Sequence, residues 1–519
     1  MDSNIEIDVL STQMQNADGL ENRRERIRQV YRADGCAWVV GYSGGKDSTA
    51  CLQLIWEALR DLPIHERHKP VHVISTDTLV EQPLVAAWVN ESLRKMQDAA
   101  EKQELPIRAH RLIPELKDRY WVNLLGKGYA FPRNGFRWCT DRLKIKPSNH
   151  FIQTVASRYG EAIVVLGTRK AESGARAANM EKYEKQRVRE WLSPNGSLPN
   201  SWVFTPIEDW EQDDVWIYLM QNENPWGHSN KSLLTLYRGA TDGGECPLVI
   251  ESATPSCGSS RFGCFVCTLV SKDKSMAAMI NNDPQNEWLI PLLELRDEIA
   301  RTGMGGKAHD YAVRDFRRSD GSIKLFRNTG RPIPGPYTRA RRHELLRRVL
   351  ETQAALRELA PADMRDLEVV RMDELQEIRR IWVQEKYEWN DALPRIYEEV
   401  CHEPFPAQPL TTGDPEEWEL LQSIVGDNEM EFELAYSLLG MTTQDSPFAT
   451  RHGNRIDEIE RIIRRCYYQD EDDAAAWAAD QAGTRSGHAD DERETLDDEQ
   501  TPVRTVQAVQ CQQLSFDWE

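Results

Sequence analysis

The sequence lacks long hydrophobic runs and has few cysteines for its length. No segment approaches the about 20 consecutive apolar residues that cross a membrane, so we expect no membrane contact. The N-terminus, MDSNIEIDVLSTQMQNADG, lacks the basic start and the apolar centre of a secretory signal. Ten cysteines in 519 residues are too sparse for a disulfide framework. We therefore expect a cytoplasmic protein whose clustered cysteines serve metal or redox chemistry.

The charge is unevenly distributed along the chain. The sequence has 84 acidic and 64 basic residues, a formal net charge of −20. About half of this excess lies between Asp470 and Gln500. Such a polar, acidic stretch has little to bury, and we predict that residues 470–519 form a disordered tail.

A second stretch has the opposite sign. The segment Arg314–Arg348 contains eleven Lys and Arg residues, interleaved with Phe316, Phe326 and Tyr337. Cations can contact the phosphates of a nucleic acid, and aromatic rings can stack on its bases. This composition is therefore typical of a nucleic-acid contact. A solvated helical face is an equally good interpretation. We predict this segment as a possible DNA contact, with that alternative open.

Short apolar runs alternate with helical patterns through the first half of the chain. The predicted strands are Ala37–Gly41, Val71–Thr76, Ile107–Ile113, Ala162–Gly167 and Ser201–Thr205. Strands that alternate with helices indicate an α/β fold with a parallel, helix-flanked sheet. A charged helix precedes the first strand at Glu21–Tyr31, and helical patterns dominate after Trp288, with a Gly- and Pro-rich interruption at Gly330–Tyr337.

These patterns divide the chain into five predicted regions. They are an N-terminal helical extension (1–34), a nucleotide-binding α/β domain (35–235), a four-cysteine module (236–287), a helical region with the basic segment (288–469) and the acidic tail (470–519).

A glycine-rich loop carries the first chemical signal. Ser43-Gly44-Gly45-Lys46-Asp47-Ser48-Thr49 lies between a predicted strand and a predicted helix. Backbone N–H groups at a helix start bind anions, and Lys46 with the hydroxyl groups completes a phosphate cradle. The Walker spacing is missing. The alternative is an ordinary tight turn. It is the weaker interpretation, because Lys, Asp and Ser follow the glycines at a strand–helix junction.

Two charged residues follow other predicted strands. Asp77 is a candidate for holding Mg²⁺ or orienting a nucleophile, and a helix N-cap is nearly as good an interpretation. Arg169 lies where open α/β sheets bind ligands, so its cation is expected at a phosphate rather than in an ion pair with Glu172. Trp210 and Trp216 are predicted to be core residues.

Four cysteines form the second constellation. Cys246, Cys257, Cys264 and Cys267 are separated by ten, six and two residues. Four thiolates this close, with one C-x-x-C pair, predict a closed metal site. The spacing alone leaves zinc and an iron–sulfur cluster open, because both accept four cysteines.

Cys139 is a candidate sulfur carrier. It lies among Arg133, Arg137, Arg142 and Lys144, and these cations are expected to lower the pKa of its thiol. A buried packing role is an equally good interpretation.

Several blocks together resemble a known family. They are SGGKDS at 43–48, Thr76-Asp77-Thr78, RWCTDRLKIKP at 137–147, LGTRKAES at 166–173, and PIEDW at 206–210 followed by DDVW at 213–216. Their order is similar to that of the N-type ATP pyrophosphatases, in the PAPS reductase-like branch. The resemblance implies catalytic roles for Lys46, Asp47, Cys139 and Arg169. It also implies ATP with Mg²⁺ at Ser43, Gly44, Gly45, Lys46, Asp47, Ser48, Asp77, Gly167 and Arg169.

The cysteine segment resembles a more specific family. The string ECP followed by SCGSSRFGCFVC, downstream of this loop, is similar to the DndC family of sulfurtransferases of bacterial DNA phosphorothioate modification. That resemblance implies a [4Fe-4S] cluster on the four cysteines, a DNA substrate, a cysteine desulfurase as sulfur donor, and further phosphorothioation proteins as partners.

Two other functions remain open at this stage. One is a PAPS reductase-like enzyme acting on a small sulfur nucleotide, although the E-C-G-L-H motif of such reductases is absent. The other is a non-catalytic iron–sulfur subunit that binds DNA and uses ATP as a conformational signal.

Overall fold

The structure of the chain is a computed structural model. It describes residues 19–133, 136–187, 189–241, 262–304, 311–326, 329–388, 390–410, 415–426, 428–443, 452–468 and 470–485. Cys246 and Cys257, and the tail beyond residue 485, lie outside these ranges.

A mostly parallel sheet forms the centre of the N-terminal half. Its strands are β1 (Ala37–Gly41), β2 (Val71–Thr76), β3 (Ile107–Leu112), β4 (Ala162–Val165), β5 (Ser193–Pro194) and β6 (Ser201–Phe204). They are arranged in the order β3-β2-β1-β4-β6-β5, and all neighbours are parallel except β5 with β6. The α/β fold predicted from the alternating pattern is confirmed.

Helices flank the sheet and make up most of the C-terminal half. In the sheet region they are 19–32, Lys46–Arg60, Pro83–Lys102, Lys146–Tyr159, Gly174–Glu184, Gln212–Gln221 and Asn230–Gly239. The short helix Trp138–Thr140 and a π-helical turn, Asp141–Ile145, lead directly into Lys146–Tyr159. Beyond them are Lys274–Asn282, Ile290–Met304, Arg339–Leu359, Met372–Arg380, Ala392–Cys401, Pro415–Val425, Glu429–Thr443, His452–Arg465 and Glu471–Arg485. The predicted helical C-terminal region is confirmed, and no described helix is long and apolar enough to cross a membrane.

The sheet forms because β1 and β4 are continuous apolar runs that are buried on both faces, the pattern of a central parallel strand. One core packs Trp38, Trp56 and Trp216 between the sheet and its helices. Trp210 and Trp216 are buried there, as predicted.

A second core joins distant parts of the chain. It combines residues around Tyr120–Leu143 with Phe265, Val266 and residues from 276 to 405. Val80, just after β2, belongs to this core as well. The chain between β2 and the helix Pro83–Lys102 therefore crosses from one core to the other, and the candidate site lies beside that crossing.

The predicted disorder of the acidic tail is wrong for its first part. Residues Glu471–Arg485 form a helix. Asp470 stabilises its start, since its Oδ1 accepts a hydrogen bond from Asp473 N at 2.8 Å. Acidic residues in the first turn interact favourably with the helix dipole, and Trp477 packs edge-on against Tyr468 at 5.5 Å. The remaining tail, from 486 onward, lies outside the described residues.

Candidate functional site

The glycine-rich loop lies at the carboxyl edge of the sheet, as predicted. Ser43–Gly45 joins β1 to the helix Lys46–Arg60. Gly44 has a φ of 74°, and a Cβ there would lie 2.4 Å from Val89 Cγ2, so only glycine fits. Ser48 Oγ accepts a hydrogen bond from Ser43 N at 3.2 Å and donates one to Gly45 O at 3.0 Å. The result is a closed loop at a helix start, an arrangement that binds phosphate.

Three charged side chains of the predicted site contact one another. Lys46 Nζ lies 2.9 Å from Asp47 Oδ2, and Arg169 Nε lies 2.6 Å from Asp47 Oδ1. Arg169 is buried and also donates to the Trp210 carbonyl at 3.2 Å. Glu172 accepts a hydrogen bond from the backbone N–H of Arg169 rather than pairing with its guanidinium. Asp47 therefore positions Lys46, while Arg169 anchors Asp47 instead of extending toward a ligand.

Gly167 allows this arrangement. A Cβ at Gly167 would lie 2.6 Å from the carbonyl oxygen of Asp47 and 3.1 Å from Cys51 Cβ. The end of β4 can approach the first turn of the helix Lys46–Arg60 only because residue 167 has no side chain. β4 itself ends at Val165, two residues earlier than predicted.

Two aromatic residues at the loop were missed by sequence reasoning. The Tyr237 hydroxyl accepts a hydrogen bond from Lys46 N at 3.3 Å, and its ring packs edge-on against Phe262 at 4.8 Å. Trp88 Nε1 donates to the Gly44 carbonyl at 3.2 Å, and its ring stacks on His228 at 3.6 Å. No local pattern marks either residue, because their proximity to the loop arises only from tertiary packing.

Asp77 is at the same edge of the sheet, after β2. Its Oδ1 accepts a hydrogen bond from Leu79 N at 2.8 Å, and its Oδ2 accepts one from Arg111 Nε at 3.0 Å. The carboxylate thus caps a turn rather than a helix, contrary to the N-cap alternative. A metal ion at Asp77 would have to displace Arg111.

The C-x-x-C turn packs beside the chain that follows β2. Gln82 N donates to the Gly263 carbonyl at 3.3 Å, and Phe265 N donates to the Val80 carbonyl at 3.0 Å. These bonds form an antiparallel bridge between Glu81 and Cys264. Residues 263–265 are therefore fixed near the carboxyl end of β2. The preceding Phe262 packs against Tyr237, whose hydroxyl contacts Lys46 N of the phosphate-binding loop.

Both described cysteines of the predicted metal site lie on this turn. The backbone N–H of Cys267 donates to the Cys264 carbonyl at 3.0 Å, which closes the turn. Cys264 Sγ lies 3.5 Å from Thr78 Oγ1, and Thr78 donates to Glu81 Oε1 at 3.0 Å. Burial, followed by the charge of Glu81, raises the pKa of the Cys264 thiol well above its usual range.

Cys139 lies in the same part of the fold as this turn. Cys139 and Cys264 both pack against the second core, which contains the buried ring of Tyr120. The structure thus brings Cys139 to the same core as one of the predicted metal ligands.

The expected lowering of the Cys139 pKa is wrong. Burial raises the pKa of this thiol. The neighbouring cations have other partners: Arg142 donates to Asp118 Oδ1 at 3.1 Å, and Lys144 lies 3.1 Å from Glu81 Oε1. Because Arg142 and Lys144 are paired with carboxylates, they do not offset the free-energy cost of burying the Cys139 thiolate.

The described residues include two of the four predicted metal ligands. Within the described ranges, no three His, Cys, Asp or Glu side chains are arranged to hold a metal ion, and Cys246 and Cys257 lie outside them. Cys264 and Cys267 lie on one turn, and Cys139 packs against the same core as Cys264. This donor set fits thiolate ligation of either zinc or an iron–sulfur cluster.

Most of the basic segment Arg314–Arg348 has a structural role. Arg317 and Arg342 are buried against Asp315 and Glu388, respectively. Other arginines hold the Gly- and Pro-rich turn, since Arg314 Nε donates to the Gly335 carbonyl at 2.7 Å. Arg341, Arg347 and Arg348 each pair with a glutamate. For these residues the alternative of paired helical cations fits better than DNA contact.

The sheet region is similar to a known domain family. Residues 37–268 match the phosphoadenosine phosphosulfate reductase domain family. The chain therefore contains a PAPS reductase-like domain, which includes the phosphate-binding loop, Cys139 and the C-x-x-C turn.

Two curated proteins of Methanocaldococcus jannaschii are similar to this chain. The uncharacterized protein MJ0066 is 26% identical over 260 residues, which are 50% of this chain and 40% of that protein. The uncharacterized protein MJ0973 is 25% identical over 182 residues, 35% of each chain. The chain thus spans less than half the length of the curated relatives it matches.

Solved structures match more weakly. PAPS reductase from Candida auris in its phosphate complex is 14% identical with a TM-score of 0.25, over 38% of this chain and 79% of that one. The U34-tRNA thiolase NcsA from Methanococcus maripaludis, with its [4Fe-4S] cluster, is 14% identical with a TM-score of 0.27, over 54% and 78%. These TM-scores are too low to support an inference about chemistry.

Proposed function

We propose that the chain is an ATP-dependent sulfurtransferase that adenylates a DNA backbone phosphate and replaces one of its non-bridging oxygens with sulfur. The observation that carries this proposal is the placement of the C-x-x-C turn. The Glu81–Cys264 bridge fixes this turn at the carboxyl end of β2, on the same edge of the sheet as the phosphate-binding loop. In this proposal the phosphate-binding loop activates the nucleotide and the thiols on the same edge handle the sulfur.

The first step uses the loop. Lys46 and the backbone N–H groups at the helix start would hold the β- and γ-phosphates of ATP and stabilise their charge as pyrophosphate leaves. A non-bridging oxygen of the DNA phosphate attacks the α-phosphorus, and AMP becomes bonded to that oxygen. Mg²⁺, with Asp77 as a candidate ligand, would supply further charge neutralisation at the triphosphate.

The second step replaces the activated oxygen. A sulfur nucleophile attacks the DNA phosphorus, and AMP leaves with the oxygen that is lost. A cysteine desulfurase would supply the sulfur, and further phosphorothioation proteins would present the DNA. Cys139, in the same matched region as Cys264 and Cys267, is the candidate carrier from this chain. The outer sulfur of a Cys139 persulfide would bond to the DNA phosphorus as AMP leaves. An external thiol reductant would then cleave the S–S bond, which leaves the sulfur on the DNA, returns the Cys139 thiol and oxidises the reductant to a disulfide. A [4Fe-4S] cluster, or zinc, would be held by Cys246, Cys257, Cys264 and Cys267. The cluster would supply electron transfer or structural support, and zinc would supply structural support only.

A second candidate is reduction of a small sulfur nucleotide. The match of residues 37–268 to the PAPS reductase domain favours it. The two activities differ in the bond that breaks. Only the adenylating enzyme cleaves ATP between the α- and β-phosphates, and only in the presence of its DNA substrate.

The test compares DNA from cells that carry the complete gene set with wild type, Lys46→Met or Lys95→Met. Lys95 is the matched control, because it lies on the surface of helix Pro83–Lys102 near Glu91. Nuclease-digested DNA is scanned by mass spectrometry for phosphorothioate-linked dinucleotides. We expect them with wild type and Lys95→Met, and a loss of at least tenfold with Lys46→Met.

Two results would redirect the assignment. If no strain contains phosphorothioates, the DNA-modification proposal fails, and reduction of a small sulfur nucleotide becomes the leading function. If Lys46→Met modifies DNA as well as wild type does, ATP activation at this loop is dispensable. Pyrophosphate release by purified protein, with and without DNA, separates an enzyme from an ATP sensor.

A further inference from the structure

The surface around Cys139 carries a concentrated positive charge that the proposed chemistry does not use. Five cations occur between residues 133 and 146 against the single acidic Asp141. Arg142 is mostly buried against Asp118 and Tyr129. The other four, Arg133, Arg137, Lys144 and Lys146, are exposed. We refer to these four residues as the thiol-flanking cations.

The fold holds the thiol-flanking cations at the candidate site. Thr76 at the end of β2 hydrogen-bonds Ser148 at 2.9 Å, which ties the helix that follows these cations to the sheet edge. Thr268, next to the C-x-x-C turn, donates to the Pro132 carbonyl and so holds the chain before Arg133. Lys144 and Lys146 lie 3.1 and 3.3 Å from Glu81 and Asp118, and about half of each lysine side chain remains accessible.

We propose that the thiol-flanking cations form the surface that binds the phosphate backbone of the nucleic acid, in place of the segment Arg314–Arg348. This inference rests on the proposed function, whose substrate is DNA. Its independent support is the difference in exposure. In Arg314–Arg348, Arg317, Arg341 and Arg342 are 5% exposed or less, and only some of the cations, such as Lys324 and Arg331, are exposed. All four thiol-flanking cations are exposed, and the side chains of Lys144 and Lys146 are 49% and 50% accessible.

The position suits the reaction. A backbone phosphate held by Arg133 and Arg137 would be presented near Cys139. Phosphate contacts position a nucleic acid without reading its sequence. The surface therefore accounts for orientation of the substrate and leaves the choice of sequence to other contacts.

The experiment measures binding of the full, metal-loaded chain to a fluorescein-labelled 30-base-pair DNA duplex and to its single strand, by anisotropy across a salt series. In a plot of the logarithm of the binding constant against the logarithm of the salt concentration, each phosphate contact contributes about 0.9 to the magnitude of the slope for duplex DNA. For single-stranded DNA each contact contributes about 0.7. If Arg133 and Arg137 each neutralise one phosphate, Arg133→Gln/Arg137→Gln should lower the slope by about 1.8 or 1.4. Affinity at 0.1 M salt should fall about 60-fold or 25-fold, respectively.

The matched control removes the same charge from the other segment. Lys324 and Arg331 are exposed residues of Arg314–Arg348, so Lys324→Gln/Arg331→Gln should bind DNA as wild type does. Arg133→Lys/Arg137→Lys keeps the charge and should recover most of the affinity. Unchanged melting temperature and unchanged affinity for an ATP analogue would show that the glutamine variant is folded.

Four outcomes would overturn the inference. They are equal weakening by both glutamine pairs, a larger effect of the Lys324/Arg331 pair, no binding of DNA by wild type, and displacement of DNA by polyglutamate at equal charge concentration. The last result would assign the surface to an acidic protein. Phosphorothioate formation by the Arg133/Arg137 variant at the wild-type level would refute this surface while leaving the proposed function intact.

Discussion

Replacement of Gly167 by alanine tests the close approach on which the phosphate-binding loop depends. The new Cβ would lie 2.6 Å from the Asp47 carbonyl oxygen, whereas real Cβ atoms essentially never come within 3.0 Å. The first turn of the helix Lys46–Arg60 must therefore move by at least 0.4 Å, the difference between these two distances. The obstacle is backbone, so no flexible side chain can give way.

The expected cost is that of forced overpacking, about 1–3 kcal/mol in the free energy of unfolding. That corresponds to a fall of about 2–4 °C in melting temperature for each kcal/mol in a domain of 150–250 residues. Displacement of Lys46 should also weaken binding of a non-hydrolysable ATP analogue about tenfold, since errors of about 1 Å cost up to about 100-fold at reacting groups. Urea denaturation and isothermal calorimetry measure the two effects.

Gly174→Ala is the matched control for this variant. Gly174 is the first residue of the helix Gly174–Glu184, and a Cβ there would meet nothing within 4 Å. The same substitution should therefore be neutral or stabilise by about 0.4–1 kcal/mol. If Gly167→Ala matches Gly174→Ala in both stability and nucleotide affinity, the packing of β4 against the loop is not as described, and the reasoning fails.

Four further predictions concern single side chains. Arg169→Met should lower the free energy of unfolding by about 2 kcal/mol, because it removes the charged hydrogen bond to Asp47, which keeps Lys46 as its other partner; a loss below about 0.5 kcal/mol in urea denaturation would contradict this. Burial raises the pKa of Cys139, so its alkylation by iodoacetamide in metal-free protein should be slow at pH 7.5 and still increase above pH 9, whereas a plateau below pH 8 would disprove it. Burial, with His110 nearby, lowers the pKa of His72 to about 4, so the unfolded state binds more protons below pH 6.5; stability should fall as pH drops from 6.5 to 4, and His72→Gln should make that fall shallower. Asp470→Ala should cost the helix Glu471–Arg485 about 1 kcal/mol and speed its amide hydrogen exchange, while Asp470→Asn should not.

The sheet was predictable because its signals are local. Val71–Thr76 and Ala37–Gly41 are predicted with the observed bounds, since each is a short apolar run bounded by polar or turn-forming residues. The strand that begins at Ala162 ends at Val165, two residues earlier than predicted. The close approach of Gly167 to Asp47 just after it was not predictable, because it joins residues far apart in the sequence. The tail helix was missed, since composition registers charge but not the capping geometry of Asp470.

The site was predictable in its parts and not in its assembly. The glycine-rich loop and the cysteine spacing are visible in the sequence, because each lies in one short segment. The bridge between Glu81 and Cys264 joins residues that belong to different predicted regions. The contact of Arg169 with Asp47 and the hydrogen bond of Tyr237 to Lys46 likewise depend on tertiary packing. A single sequence contains no pairing information of this kind.

The two basic segments show why a count of charges does not locate a nucleic-acid surface. Arg317 donates to Asp315, to Glu433 and to the Arg465 carbonyl, so it joins the loop region to the C-terminal helices. A phosphate could bind Arg317 only by displacing these acceptors, and a buried carboxylate left without its partner costs several kcal/mol. Arg133 and Arg137 are exposed, so a phosphate can reach them without opening a core. The shorter cationic segment is therefore the better candidate, although the longer one has about twice as many cations in the sequence.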